Sequence, residues 1–253
     1  MKLDNKIAVI TGAAMGIGLA AAKLFVAEGA TVVMVDQNAP QLSAAAQSMT
    51  SMRVSHRVAD ITDVEQVHGM VEATIQKFGR IDVFVANAGV EGIVKDFADY
   101  PLEVFDHVLK VNVRGTFLCV QAALKAMQPK GGSIVVTASG AATQGAPGMA
   151  AYIASKHAVA GLMKVAALDG AKYGIRVNTV NPGPVATRML RSLESSAAPG
   201  REDEMRKAAA TRIPLGRHAA ADDVARTMLF LASDDSAYCT GGMYSVDGGL
   251  SAS

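Results

Sequence analysis

Tyr152-Ile153-Ala154-Ser155-Lys156 sets a phenol and an ammonium one helical turn apart, a spacing that puts both on the same face of a helix. A hydroxyl, Ser139, precedes Tyr152 by 13 residues, just past the β-branched run Ser133 to Thr137. Such a trio suits hydride exchange between a carbinol carbon and a nicotinamide, because a proton must leave or join the oxygen at nearly the same time. A free tyrosine has a pKa of about 10, too high for a base at neutral pH. A neighbouring ammonium and an oxidised nicotinamide would both favour phenolate and are expected to lower that pKa toward the working range. Ser139 would hold the substrate oxygen by a hydrogen bond.

A second constellation lies near the N-terminus. The apolar run Ile7 to Ile10 leads into Thr11-Gly12-Ala13-Ala14-Met15-Gly16-Ile17-Gly18, and a helical pattern follows. Glycines on a strand-to-helix turn let the backbone turn sharply, and the helix N-terminus offers free N–H groups to a phosphate. Gly12, Met15, Gly16, Ile17 and Gly18 are therefore the expected dinucleotide cradle. Asp36 ends the next apolar run, 18 residues after Gly18, where an acid accepts hydrogen bonds from the adenosine ribose. The same carboxylate repels a 2′-phosphate, and Met15 and Gln37 bring no compensating cation, so NAD is expected over NADP.

These residues need a frame. Seven short runs qualify as strands: Ile7 to Ile10, Thr31 to Val35, Val54 to Val58, Ile81 to Val85, Ser133 to Thr137, Ile175 to Val180 and Met243 to Val246. Several are apolar on consecutive residues, as in strands buried on both faces, whereas Ser55, His56 and Arg57 weaken the third. Helical patterns fill the gaps. Thr62-Asp63-Val64-Glu65 reads as a capping box, Gly29 and Gly79 as left-handed helix ends, and Tyr152 to Tyr173 as one long helix closed by Gly174. Alternating strands and helices predict an α/β fold, a single doubly wound parallel sheet of seven strands with helices on both faces. No linker or repeat divides the chain, so one domain spanning 1–253 is expected. Residues 188–212, rich in Ser, Ala and charge around Pro199-Gly200, read as a lid or helical insertion. Asn181-Pro182-Gly183-Pro184 reads as a rigid turn that cannot continue as sheet.

Composition removes other classes. The chain has 253 residues and a formal net charge of +1, with 24 basic and 23 acidic residues scattered along it. Nucleic acid needs a basic stripe, so it is not an expected partner. No run approaches the roughly 18 apolar residues of a membrane span, and the first residues do not resemble a signal peptide. Cys119 and Cys239 sit in separate elements, make no metal pattern and read as reduced thiols of a cytoplasmic protein.

Taken in order, TGAAMGIG from Thr11, Asp60-Ile61-Thr62, Asn87-Ala88-Gly89, Asn112, Ser139, Tyr152 with Lys156, and Asn181-Pro182-Gly183 resemble the short-chain dehydrogenase/reductase family over almost the whole chain. That resemblance implies a Rossmann-like subunit with strand order 3-2-1-4-5-6-7, assembled as a homotetramer. It implies that Tyr152 is the acid/base, that Lys156 binds the nicotinamide ribose and tunes it, and that Ser139 orients the substrate. Asn112 would hold a water in a proton relay from Lys156. Asp60 and Ile61 would contact adenine, Asn87, Ala88 and Gly89 the adenosine ribose side, and Pro182, Val185 and Thr187 the nicotinamide end. The family commonly carries two asparagines before Ala-Gly. Here the first is Ala86, which puts local strand hydrogen bonding in question rather than activity.

Glu91, Gln144 and Met189, with Ser139 and Tyr152, are the expected substrate contacts, although a loop acid such as Glu91 also fits plain solvation. Their surroundings are small or apolar without an arginine cluster, which points to an uncharged, compact secondary alcohol or ketone, cyclic by a thin likeness in Asn87 to Gly92. Two rivals stand beside this reading: an NADPH-dependent 3-oxoacyl-thioester reductase, and a non-catalytic NAD-binding sensor or scaffold. The first would want a cation beside the adenosine ribose; the second would lack part of the tetrad.

Overall fold

The computed structural model describes residues 1–252. Seven strands, β1 (Ile7–Thr11), β2 (Thr31–Asp36), β3 (Val54–Val58), β4 (Val83–Ala86), β5 (Gly132–Thr137), β6 (Ile175–Pro182) and β7 (Met243–Val246), form one sheet in the order β3-β2-β1-β4-β5-β6-β7. Every pairing is parallel. The order reverses between β1 and β4, the switch point at which open α/β sheets bind ligands.

The consecutive apolar residues have the expected cause. Along β1 and β2, Val9, Val33 and Val35 enter one core with α3 (Val64–Phe78), α5 (Thr116–Met127) and α6 (Ala150–Ala171). Their neighbours Ala8, Ile10, Val32 and Met34 enter the other, with α1 (Gly16–Ala27), α2 (Ala39–Gln47) and α9 (Ala221–Ala232). Both faces of each strand are therefore buried. The two edge strands depart from this: His56, Arg57 and Val58 of β3 are exposed, and so is Ser245 of β7.

Four local readings are corrected or refined. The N-cap of α3 is Asp63 rather than Thr62: its Oδ1 accepts from the backbone N–H of Glu65 at 2.9 Å and of Gln66 at 3.1 Å. A carboxylate one residue closer to the helix takes both free N–H groups by itself, and no Thr62–Glu65 box forms. Asn181 and Pro182 belong to β6, with Pro182 opposite Val246, so the turn begins only at Gly183. The fourth strand starts at Val83, and Ala86 pairs normally with Val136. The segment 188–212 folds as two helices, α7 (Arg188–Ala197) and α8 (Glu202–Thr211), hinged at Pro199-Gly200.

One helix carries an irregularity that matters below. α4 (Leu102–Leu109) continues through a π-helical turn, Lys110–Gly115, straight into α5. Gly115 lies against Ile61, where a Cβ would come within 2.7 Å of its Cδ1. Among the described residues no helix is long and apolar enough to cross a membrane.

The α3 cap gives a direct check. Its two N–H bonds and Gln66 hold the Asp63 carboxyl below the usual aspartate range. Asp63→Ala is expected to lower the melting midpoint by about 2–4 °C near neutral pH, and Thr62→Ala by much less. Because the carboxyl titrates low, the Asp63 effect is present above the ordinary aspartate pKa and fades as pH falls through the lowered one. Thermal melts of both variants at two pH values test this.

Candidate active site

The carboxyl ends of β1, β4, β5 and β6 open on a cavity of about 720 Å³ that runs from Asp36 and Asp60 at one end to Tyr152 and Met189 at the other. Its floor at the switch point is set by backbone approach. Gly12 has φ +65° and Gly16 φ +55°. A Cβ on Gly12 would come within 2.8 Å of Ala88 Cα, and one on Gly18 within 2.2 Å of the Gly12 carbonyl oxygen. Gly18 and Gly16 thus shape the turn from behind, while Gly12, Met15 and Ile17 face the cavity. A cradle that side chains would close fits a phosphate held by backbone N–H groups.

Two residues fasten this turn to β4. The Thr11 hydroxyl accepts from the backbone N–H groups of Asn87 and Ala88 at 3.0 and 3.2 Å. The Asn87 carboxamide donates to the carbonyls of Thr11 and Gly12 at 3.0 and 3.2 Å and accepts from the Thr137 hydroxyl at 3.1 Å. At the far end, Asp36 accepts from Ala14 N–H at 3.1 Å and Asn38 N–H at 3.0 Å, which aims its carboxylate along the cavity rim and leaves lone pairs for further donors. Asp60 and Ile61 line the same end, and Pro182, Val185 and Thr187 the other. Only two cations, Lys156 and Arg188, are among the described lining residues.

Ser139, Tyr152 and Lys156 converge at that second end. Asn181 positions Ser139 by donating to its carbonyl at 3.0 Å. The Ser139 hydroxyl accepts from Ala141 N–H at 3.1 Å, faces the Pro182 carbonyl at 3.5 Å, and stands close enough to the Tyr152 phenol to favour its ionised form. Lys156 lies one turn on, its Nζ 5.5 Å from the centre of the Tyr152 ring, and donates to the Thr137 carbonyl at 2.9 Å. The electrostatics differ from the expectation. Burial raises the Tyr152 pKa, the Ser139 hydroxyl opposes that, and the Glu91 carboxylate adds to it. Burial also brings Lys156 down to about 8, and this weakens the very charge that was expected to favour phenolate. In the protein alone Tyr152 is a phenol, not a poised base.

Two of the expected site residues, Asn112 and Glu91, stand behind the cavity wall. Asn112, in the π turn and 1% exposed, accepts from Val90 N–H at 2.8 Å and donates to the Val90 carbonyl at 2.9 Å and the Ser155 hydroxyl at 3.0 Å. Both amide protons are engaged, so its carboxamide is a clamp on the Val90 backbone rather than a free water ligand. Glu91 is not a solvated loop acid: it is 7% exposed, does not itself line the cavity, and has Arg188 of α7 at 3.8 Å. Gly89 does line the cavity, and a Cβ there would meet Asn112 Oδ1 at 3.1 Å and Lys156 Nζ at 3.7 Å. Gln144 and Met189 line the cavity directly.

Sequence reading missed Thr137, Ser155 and Arg188. The first acts largely through its carbonyl, which no side-chain pattern reveals. A serine within an alanine-rich helix was the available signal for the second. The third needed the knowledge that α7 folds back onto residue 91.

The comparisons agree with this architecture. A family model described as Enoyl-(Acyl carrier protein) reductase matches residues 12–251. Short-chain dehydrogenase reductase 3a of Arabidopsis thaliana is 44% identical over 253 residues, covering 99% of this chain and 97% of that protein. The solved structure of levodione reductase is similar with a TM-score of 0.96 at 34% identity, covering 99% of both chains. That of NAD+-bound xylitol dehydrogenase gives a TM-score of 0.92 at 33% identity, covering 98% of this chain and all of that one. With the seven-stranded sheet and the ordered motifs, these matches establish that the chain belongs to the short-chain dehydrogenase/reductase family of oxidoreductases.

Proposed function

We propose that this protein uses NAD(H) to interconvert an uncharged, compact secondary alcohol and its ketone, cyclic by the likeness of the run Asn87 to Gly92. The convergence of Ser139, Tyr152 and Lys156 at one end of a cavity whose other end carries Asp36 is the observation that supports it. When bound, the nicotinamide accepts or supplies the hydride. The chain's own residues do the rest. Ser139 holds the substrate oxygen, and Tyr152 Oη takes or gives the proton. Lys156 would hold the ribose of a bound nicotinamide cofactor, and with the neighbouring positive charge would draw the phenol down from its raised pKa. Asn112 serves the proton path through its backbone carbonyl in the π turn, where the wider i→i+5 spacing loosens the helix ladder.

Asp36 supports NAD over NADP, since the lining residues beside it include no cation to pair a 2′-phosphate. The same feature disfavours the NADPH-dependent thioester reductase, despite the matched family's description. The levodione reductase and NAD+-bound xylitol dehydrogenase likenesses are in keeping with a cyclic ketone or alcohol and with NAD. The presence of the whole tetrad disfavours a sensor or scaffold. Gln144, Met189, Tyr152 and Ser139 are the proposed substrate contacts, with Glu91 acting from just behind them, and α7 and α8 form a cover over the substrate end. We infer a homotetramer, supported by exposed apolar side chains on α5 and α6 (Phe117, Val165 and Leu168); light scattering is expected to give four times the 26.1 kDa chain, and a monomeric mass would refute it.

A steady-state panel of aliphatic, cyclic and aryl ketones and alcohols with NADH/NAD and NADPH/NADP tests the whole reading. NAD(H) should be preferred by tenfold or more, and equal activity on acyl thioesters or with NADPH would overturn it. Tyr152→Phe is expected to lower kcat by about 10²–10⁴-fold while calorimetry still detects NADH binding. Because the Glu91 carboxylate raises the Tyr152 pKa, Glu91→Gln should move the alkaline-favoured limb of alcohol oxidation to lower pH. An unmoved limb would separate Glu91 from the proton transfer.

A further inference from the structure

Ser155 is fully buried and lies between the two reacting residues of α6, yet nothing in the proposed chemistry uses it. Its helix is otherwise built largely from alanine, including Ala150, Ala151, Ala154 and Ala160, and alanine holds a helix better than serine. A hydroxyl at a fully buried position there needs a task.

The hydrogen bonds define one. The Ser155 hydroxyl donates to the Tyr152 carbonyl at 2.7 Å. A hydroxyl has a single proton, so toward Asn112, at 3.0 Å, it can only accept. That decides which end of the Asn112 carboxamide faces α6: the NH₂ group must. The carbonyl end is then turned to Val90 N–H, and the second amide proton reaches the Val90 carbonyl, as the 2.8 and 2.9 Å bonds record. A Cβ on Gly89 would meet Asn112 Oδ1 at 3.1 Å and Lys156 Nζ at 3.7 Å, so the same clamp stands beside Gly89, and Glu91 follows Val90 directly.

We propose that Ser155 is a positioning residue: its hydroxyl sets the sense of the Asn112 carboxamide and so fixes the Gly89–Glu91 wall of the site against Lys156. The π turn and the helix carrying Tyr152 meet at this oxygen, and the Asn112 carboxamide joins them to the loop after β4. Ser155→Ala removes the acceptor and leaves one Asn112 N–H unpaired, so that only the two Val90 bonds hold the carboxamide, while the space it leaves is a single atom.

Hydrogen exchange in the cofactor-free protein tests this without reference to turnover. The Val90 amide is expected to exchange at least tenfold faster in Ser155→Ala, with β5 amides such as Ile134 unchanged. On an Asn112→Ala background, where Val90 is already unclamped, adding Ser155→Ala should change its exchange by less than twofold. In kinetics, Ser155→Ala should lower kcat about tenfold with the NAD dissociation constant held within twofold. Val90 exchange within twofold of the parent, or the same acceleration repeated on the Asn112→Ala background, overturns the proposal. Should the alanine variant fail to fold, Ser155→Thr keeps the hydroxyl and should keep Val90 protected; lost protection at an unchanged melting midpoint overturns it equally. The kinetic arm rests on the proposed role of Tyr152 and Lys156. If the parent protein turns over no alcohol while the exchange results hold, that role fails and the positioning role stands.

Discussion

The end of β1 and the end of β4 come together more closely than two chains with side chains could. Gly12 lies against the Ala88 backbone, Gly18 against the Gly12 carbonyl, and the Asn87 carboxamide bonds the carbonyls of Thr11 and Gly12. Every other part of the site takes its position from this approach. It opens the switch-point crevice, aims the N-terminus of α1 into it, and sets the strand from which residues 87–91 run toward Tyr152. Through the Thr137 hydroxyl on Asn87 and the Thr137 carbonyl on Lys156, the glycine turn and the substrate end are also joined by one residue of β5.

At the substrate end the governing factor is low polarity. Lys156 and Glu91 are nearly dry, and the Tyr152 phenol stands half-buried on the cavity wall beside them, so the charge states of these groups depend on one another. Arg188 is the one cation from α7 that reaches this group, at 3.8 Å from Glu91. Glu194, also buried, binds Arg206 and ties α7 to α8, and the Ser196 hydroxyl accepts from Val94 N–H. α7 is thus attached near both its ends to the segment 91–94, and α8 is tied to α7.

Much of this was legible in sequence because it rests on period and punctuation. Strands buried on both faces leave consecutive apolar runs, and left-handed positions such as Gly29 and Gly79 leave glycines. Tyr152 and Lys156 were legible because helix geometry fixes what four residues of separation means. The failures have a common origin in competition between neighbours. Asp63 displaced Thr62 as a cap because a carboxylate accepts two N–H bonds at once. Asn181 and Pro182 stayed in β6 because an N–H is dispensable at a strand's last residue. The raised Tyr152 pKa of the cofactor-free protein could not be read in sequence, because burial acts on both phenol and ammonium and is invisible until the fold is known. Glu91 as a buried acid and Asn112 as a clamp depended on long-range contacts that carry no local pattern.

The weakness of β3 as a strand signal has a meaning of its own. It is a rim of the sheet, with a row of peptide groups that no further strand of this chain covers. Ser55, His56 and Arg57 place polar and cationic side chains along that rim, and these discourage another molecule's strand from adding on. A sheet of parallel strands, hydrophobic on both faces, would otherwise be a template for open-ended growth between molecules. The residues that made β3 the hardest strand to read are those that discourage extension of the sheet at this edge.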